Sequence, residues 1–423
     1  MAELLAMSAF VAGYLAITLE HRLFVNKAAA SLLLAVILWL IVGLSLPDDV
    51  IQHHLMEIGS DIFGLIVFLL TAMTLVEILV HYHLFDVIER WLRVRGFGAY
   101  GMGWALIAIT FLFSAVLDNL TTTIVVIQIA RRLFSREDLL KVGALTVIAA
   151  NAGGAFSPIG DVTTLMLWFA GKFSAGEIIW QGFLPSLVMV ALASALILPK
   201  LKGSVCRDDE MCSEADLSRS DKTVLVVTLL AFLLPLPAAA LGLPPYMGLL
   251  AGLGFVWALI DVAKRARPQD THLQASIQRF LQKTDIESLQ FFVGILLAVG
   301  ALSTLGVLGQ ATDWLLGVEP SFTRLVAAFV GLGVGSAIVD NVPLTAAAIS
   351  GLGDVGSVLW VLLALMVGMG GSILLVGSAA GVVTMGMVPG LTIGKYWKIA
   401  TWPALLGFIG ALAMWLIQYQ IFW

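Results

Sequence analysis

SAVLDNLTTT at 114–123 returns in the second half of the chain as SAIVDNVPLT at 336–345. Each copy sets Asp-Asn (Asp118-Asn119 and Asp340-Asn341) in the middle of an otherwise apolar run. Behind each copy comes a hydrophobic stretch too long for one membrane span and interrupted by glycine. The first interruption is NAGGAFSPIGD at 151–161; the second is GMGGS at 368–372, continuing to VGS at 376–378. Glycine and proline break a helix there and free backbone amides and carbonyls, which a membrane tolerates only where they are buried or line a cavity. A single glycine pair is explained as well by close helix packing. Two matched breaks, each behind a matched Asp-Asn, instead fit discontinuous helices that meet near the bilayer midplane.

The composition agrees. Of 423 residues, 60% are hydrophobic and 12% charged, with a mean hydropathy of +1.00; soluble domains carry about twice that charge. Apolar runs of 16 residues or more can cross a ~30 Å hydrocarbon core as helices, whereas a barrel would show short alternating segments. The chain reads as an all-α polytopic membrane protein with the lipid bilayer as its partner. A net charge of −5 gives no reason to expect nucleic acid. Cys206 and Cys212 share one charged loop and form no metal or disulfide pattern. Residues 1–19 are apolar without a basic n-region or cleavage site, so they read as a retained span.

Lys and Arg set the orientation, because basic loops stay cytoplasmic. Basic and non-basic loops alternate along the chain except around 98–133 and 325–351, where the chain enters and returns on the same side. Both are read as re-entrant hairpins, although the longer arms of the first leave two spans open. On this reading all basic residues but Lys172 and Arg324 lie inside. The count is ten spans and two hairpins, with the N-terminus outside. A cytoplasmic linker at 201–222 separates a first repeat, 1–200, from a second, 223–423. Each holds five transmembrane helices, one hairpin and one broken helix (139–170 and 355–390), and since five is odd the two repeats are inverted. Residues 84–95, LFDVIERWLRVR, place apolar and charged residues on opposite faces and read as an interfacial helix.

Glu77, Asp118, Asp161 and Asp340 lie inside apolar runs with no Lys or Arg deep in any of them. An unpaired carboxylate at mid-membrane costs ~2.5–3.5 kcal/mol on insertion scales. It must be protonated, neutralised by a cation or hydrated in a cavity. Carboxylates beside freed carbonyls and hydroxyls make a hard-oxygen site suited to a small alkali cation or to protons, and they repel an anion. Asp118, Asp161 and Asp340 also stand where Asp caps a restarting helix. Capping alone leaves unexplained why a charge recurs where serine would do. Glu77 reads equally as a snorkelling acid or a proton-handling one; His81 and His83 beside it read as interfacial bystanders or pH sensors.

Met73–Ile78 (MTLVEI), SAVLDNLTTTIV at 114–125 and AANAGGAFSPIGDVTTLMLW at 149–168, with 336–341 and the break at 368–378, carry a family resemblance. At these segments the chain resembles the NhaD-type sodium:proton antiporters of the ion-transporter superfamily. The resemblance implies exchange of Na+ or Li+ for H+, with elevator-like movement of hairpins and broken helices. It also implies a homodimer. The compact chain without a transit peptide favours a bacterial inner membrane over an organelle of bacterial descent, and no cofactor is expected besides the transported ions. Wider relatives carry carboxylates, citrate or arsenite, often with Ser-Asn-Thr at the hairpin tips where this chain has Asp-Asn.

Na+ and H+ are therefore expected to compete for Asp118, Asp161 and Asp340, with Asn119, Asn151 and Asn341 completing a Na+ site. Thr122, Thr123, Ser157, Thr164, Thr345 and Ser378 would add neutral oxygens. Gly368, Leu374 and Ser378 stand opposite Asn151, Ser157 and Asp161 in the repeat, so the site should lean on the first half. The alternative is a Na+-coupled carrier of a dicarboxylate, citrate or arsenite with the same fold. H-E-x-x-H, G-x-S-x-G and Walker A signatures are lacking, and an enzyme is not expected.

Overall fold

Short polar residues mark where the apolar runs begin, and in the computed structural model many of them cap a helix. Asn26, Ser135, Ser174, Ser218, Asp285, Ser321, Ser378 and Thr392 each accept a hydrogen bond from a first-turn amide, satisfying donors that would otherwise be orphaned at the membrane surface or inside it. The structure describes residues 2–18, 20–203, 217–266, 270–317 and 320–423. Cys206, Cys212 and most of the 201–222 linker lie outside the described residues.

Among the described residues the regular elements are helical. The first half contains α1 (Ala2–Thr18), α2 (Glu20–Leu23), α3 (Lys27–Gly43), α4 (Asp48–His81), α5 (Leu84–Val94), α6 (Ala99–Leu117), α7 (Asn119–Leu133), α8 (Arg136–Ala155), α9 (Val162–Phe169) and α10 (Ala175–Ile197). The second contains α11 (Arg219–Ala231), α12 (Pro235–Ala240), α13 (Pro245–Ala266), α14 (Asp270–Gln274), α15 (Ile277–Lys283), α16 (Ile286–Thr304), α17 (Val307–Leu316) and α18 (Phe322–Gly335). It ends with α19 (Asn341–Gly351), α20 (Ser357–Gly370), α21 (Ala379–Met387), α22 (Ile393–Tyr396), a π turn at 397–401 and α23 (Trp402–Phe422).

Seven helical stretches among the described residues are long and apolar enough to cross a membrane: α4, α6, α10, α11–α12, α13, α16 and α22–α23. The chain is a multi-pass membrane protein. The count of ten spans goes further: it adds α1, α3 and the interrupted pairs α8–α9 and α20–α21, and treats α6 as a hairpin arm. The helices do turn or stop where the sequence signals it. α6 gives way to α7 at Asp118, α18 to α19 across 336–340, α8 to α9 across 156–161, and α20 to α21 across 371–378.

Packing divides the helices into two groups. α1 packs on α3, α3 on α16, and α4 on α13 and α16; α1, α3 and α16 share an apolar cluster that also takes in Val307 and Val342. In the other group α6, α7 and α8 pack together, α18 lies on α20, and α10 lies along α23. The second arm of each hairpin crosses to the opposite half, α7 onto α21 and α19 onto α9.

The same backbone contact recurs behind each Asp-Asn. Ser114 Oγ donates to Ala150 O at 2.5 Å, and Ser336 Oγ donates to Val367 O at 2.8 Å. A Cβ at Gly153 would strike the carbonyl of Phe111, and one at Gly370 the carbonyl of Gly333. Glycine at these two positions lets a hairpin arm lie directly on the backbone of the broken helix, which brings tip and break together.

Candidate cation and proton site

The α6–α7 and α18–α19 junctions and the two helix breaks border one cavity, lined by Asp118, Asn119, Asp161, Asp340, Asn341 and Ser378. Asp118 caps α7: its Oδ1 accepts from Thr121 N at 2.8 Å and its Oδ2 from Thr121 Oγ1 at 2.7 Å. Its backbone sits at φ 72°, ψ 156°, a region nearly reserved for glycine that costs a side-chain-bearing residue about 1–3 kcal/mol. Asp340 caps α19 through Val342 N at 3.2 Å, and its own amide donates to Tyr14 Oη on α1 at 3.1 Å.

Asp161 behaves differently. It stands at the N-cap position of α9 but makes no side-chain cap bond. Only 3% exposed, its carboxylate turns toward the second hairpin and accepts from Asn341 Nδ2, at 3.1 Å (Oδ2) and 3.4 Å (Oδ1). Among the described residues it has no ion pair with a basic side chain. The first hairpin makes the parallel contact: Asn119 Nδ2 donates to Asn151 Oδ1 at 3.2 Å. Asn151 then donates to Ser378 Oγ at 2.9 Å and Ser372 Oγ at 3.0 Å, tying the first broken helix to the second.

The two halves differ at one informative place. Asn151 faces Ser378, and in the reciprocal position Gly368 faces Asp161. A Cβ on Gly368 would lie 3.4 Å from Asp161 Oδ2. The missing side chain lets the second broken helix approach a buried carboxylate closely.

Several expected oxygens are turned elsewhere. Thr123, Thr164 and Thr345 donate to the carbonyls of Asn119, Asp161 and Asn341 at 2.7, 2.8 and 3.0 Å. Ser157 Oγ accepts from Ile159 N at 3.4 Å inside the break. Thr122 Oγ1 is buried with no hydrogen-bond partner among the described residues. None of these five borders the cavity. Glu77, half-buried, lies 4.0 Å from Lys283; His81 Nε2 contacts Thr271 O at 2.8 Å; exposed His83 pairs with Asp86 at 2.7 Å. These three also lie away from the cavity.

A model of the citrate transporter family matches residues 14–368. Sodium/proton antiporters 1 and 2 of Arabidopsis thaliana are each 37% identical to 89% of this chain, which spans 66% and 91% of their lengths. Na(+)/H(+) antiporter NhaD of Alkalimonas amylolytica is 31% identical over 419 residues, 90% of this chain and 83% of that protein. The chain belongs to the NhaD-type antiporters of the citrate transporter family.

For an NhaD-type antiporter the residue least visible in the sequence is Lys27. It lies in a basic loop by sequence, yet at the start of α3 it borders the same cavity as Asp118, Asp161 and Asp340. Its ammonium rests 5.3 Å from the centroid of the Phe291 ring, a contact that steadies a cation in partly apolar surroundings. Ser372, which holds Asn151, also escaped the sequence reading; its place in the GMGGS break was the available signal.

Proposed function

We propose that the protein exchanges Na+ (or Li+) for H+ by alternating access, the two ions competing for Asp161 with help from Asp118 and Asp340. The observation that carries this reading is Asp161: a buried carboxylate held by a neutral amide on the wall of a cavity. A cation there meets carboxylate and amide oxygens, the hard donors such an ion prefers. A proton on the same carboxylate removes the charge that attracts the cation. The empty, deprotonated carrier crosses poorly because its buried charge is uncompensated, so either ion discharges it and exchange becomes obligatory.

The inverted repeat is part of the same proposal. The crossed pairings α7–α21 and α19–α9, the pairings α3–α16 and α4–α13, and the matched Ser114 and Ser336 bonds support a pseudo-twofold relation between the halves. Movement is proposed along the boundary between the two packing groups. A second cavity lies on that boundary, lined by α4 and α16 on one side and α9 and α19 on the other. Close-packed interiors resist sliding; a boundary interrupted by two cavities resists it less. With the N-terminus outside, Lys27 and Ser288 support a first cavity that opens toward the cytoplasm, with the second cavity on the outer route.

Purified protein in liposomes loaded with an acidic buffer and a pH dye tests the reading. External NaCl or LiCl, but not choline chloride, should alkalinise the lumen. No response to any cation, with Na+-dependent uptake of succinate, citrate or arsenite instead, would replace antiport by anion transport.

A further inference from the structure

Where α4 ends, a buried histidine joins three segments. His272 on α14 is 0% exposed. Its Nδ1 lies 2.9 Å from Tyr82 Oη, just past α4, and its Nε2 lies 2.9 Å from Ser220 Oγ on α11. Asp221, the next residue of α11, is also buried. One of its oxygens, Oδ2, accepts from Ser218 N and closes the capping box of α11. The other, Oδ1, has no hydrogen-bond partner and lies 3.6 Å from His272 Nε2.

Burial, reinforced by the charge of Asp221, holds the Tyr82 phenol above its usual range. Tyr82 therefore stays protonated and donates to Nδ1, which leaves the imidazole proton on Nε2, facing Ser220 and Asp221. With His272 neutral, a buried carboxylate oxygen is left without a counter-charge, which is costly. With His272 protonated, the same oxygen gains an ion pair and Tyr82 turns to accept. Histidine is the side chain whose charge ordinarily changes between pH 5 and 8.

We propose that His272 is a pH latch: protonated, it adds an ion pair with Asp221 to its hydrogen bond with Tyr82 and tightens the joint between α4 and α5; neutral, it holds that joint by hydrogen bonds alone and loosens it. The joint is where a clamp matters. Tyr82 is followed by His83 in the left-handed region (φ 59°) and then by α5, which leads into the first hairpin. Other charged groups nearby face away from His272. His81 contacts the Thr271 carbonyl, His83 pairs with Asp86, Lys283 on α15 faces Glu77, and Arg279 reaches the Gln274 carbonyl. The latch acts at a distance from the cation site, and its consequence for transport rests on the antiport reading: exchange is held back at low cytoplasmic pH and released as pH rises.

Proton competition at the site also slows exchange in acid, so the test uses saturating Na+, where competition is overcome and only the maximal rate is read. Between about pH 8.5 and 6.5 the wild-type maximal rate should fall about tenfold, a one-unit titration effect. His272→Gln, which hydrogen-bonds but cannot charge, and Asp221→Asn, which keeps the capping oxygen, should flatten that fall and leave the rate at high pH unchanged. Both variants retaining the wild-type profile would overturn the latch. Hydrogen exchange of segment 82–94, corrected for intrinsic rates, gives a reading that needs neither a folded variant nor transport. Protection should rise as pH falls in the wild type, and pH-independent protection would overturn the proposal. Wild-type protein without exchange at any pH would refute antiport, and the hydrogen-exchange result would still decide the latch.

Discussion

Gly368→Ala adds one methyl group to the cation site and little else. The new Cβ would lie 3.4 Å from Asp161 Oδ2 and 3.1 Å from the Ala155 Cβ. The second contact is tight for two carbons but can relax by a few tenths of an ångström, so the fold should survive. The first puts a hydrocarbon group in van der Waals contact with the carboxylate oxygen and denies an ion or water access to that side of it. Hydrogen bonds to a charged group contribute about 1.5–3 kcal/mol each. Losing one such oxygen contact raises the KM for Na+ by about 10- to 150-fold, at about 1.4 kcal/mol per tenfold. A proton needs no such space, so proton binding should change less. The assay is Na+-dependent dissipation of a pH gradient in liposomes across a range of Na+ concentrations, at fixed pH. A KM within twofold of wild type in a monodisperse protein would refute the idea that the ion binds on this side of the carboxylate.

Asp118→Gly should remove a site carboxylate and relieve a strained backbone at the same time. Relief of about 1–3 kcal/mol exceeds the few tenths that glycine costs as a cap, so thermal stability should rise by about 1–3 °C while exchange falls at least about tenfold; lower stability with full exchange would count against both statements. Lys27→Gln removes a fixed cation from the cavity, an effect of about 0.5–1 kcal/mol for a partly solvated charge, so the KM for Na+ should drop about two- to fivefold, and a rise would contradict the placement. Burial pushes the Asp138 carboxyl up, but the Lys141 ammonium and the amides of Lys202 and Gly203 outweigh it and hold it below the usual carboxylate range. A depressed carboxylate stabilises above its unfolded value, about 3.9, and the contribution fades as pH drops through the lower folded value. Asp138→Asn should therefore cost about 1–3 kcal/mol at pH 7, and thermal melts should show the gap to wild type closing below about pH 4.

What the sequence made legible was local. Asp-Asn in a hydrophobic run and glycine-rich interruptions state their structure directly: a charge and a breaker at these positions leave few alternatives, and helices end and restart at 118, across 156–161, across 336–340 and across 371–378. Cross-half contacts were not legible, because nothing in the chain order says that Asn341 reaches Asp161 or that Asn151 reaches Ser378. Where a hydroxyl points was not legible either, for a physical reason. A threonine within a helix readily donates to a carbonyl three or four residues back, as Thr123, Thr164 and Thr345 do. Lys27 was hidden by the loop boundary: a residue that ends a basic loop also begins a helix, and here that helix faces the cavity. His272 was hidden by distance, since its partners lie 52 and 190 residues away.

The central claim is that Na+ and H+ compete for one carboxylate, and proton release on Na+ binding measures it directly. Purified protein in weakly buffered detergent solution near pH 7 should acidify the medium when NaCl is added and give no response to choline chloride. Asp161→Asn should release no protons. Na+ binding detected by calorimetry without proton release, or release of wild-type size from Asp161→Asn, would contradict the account.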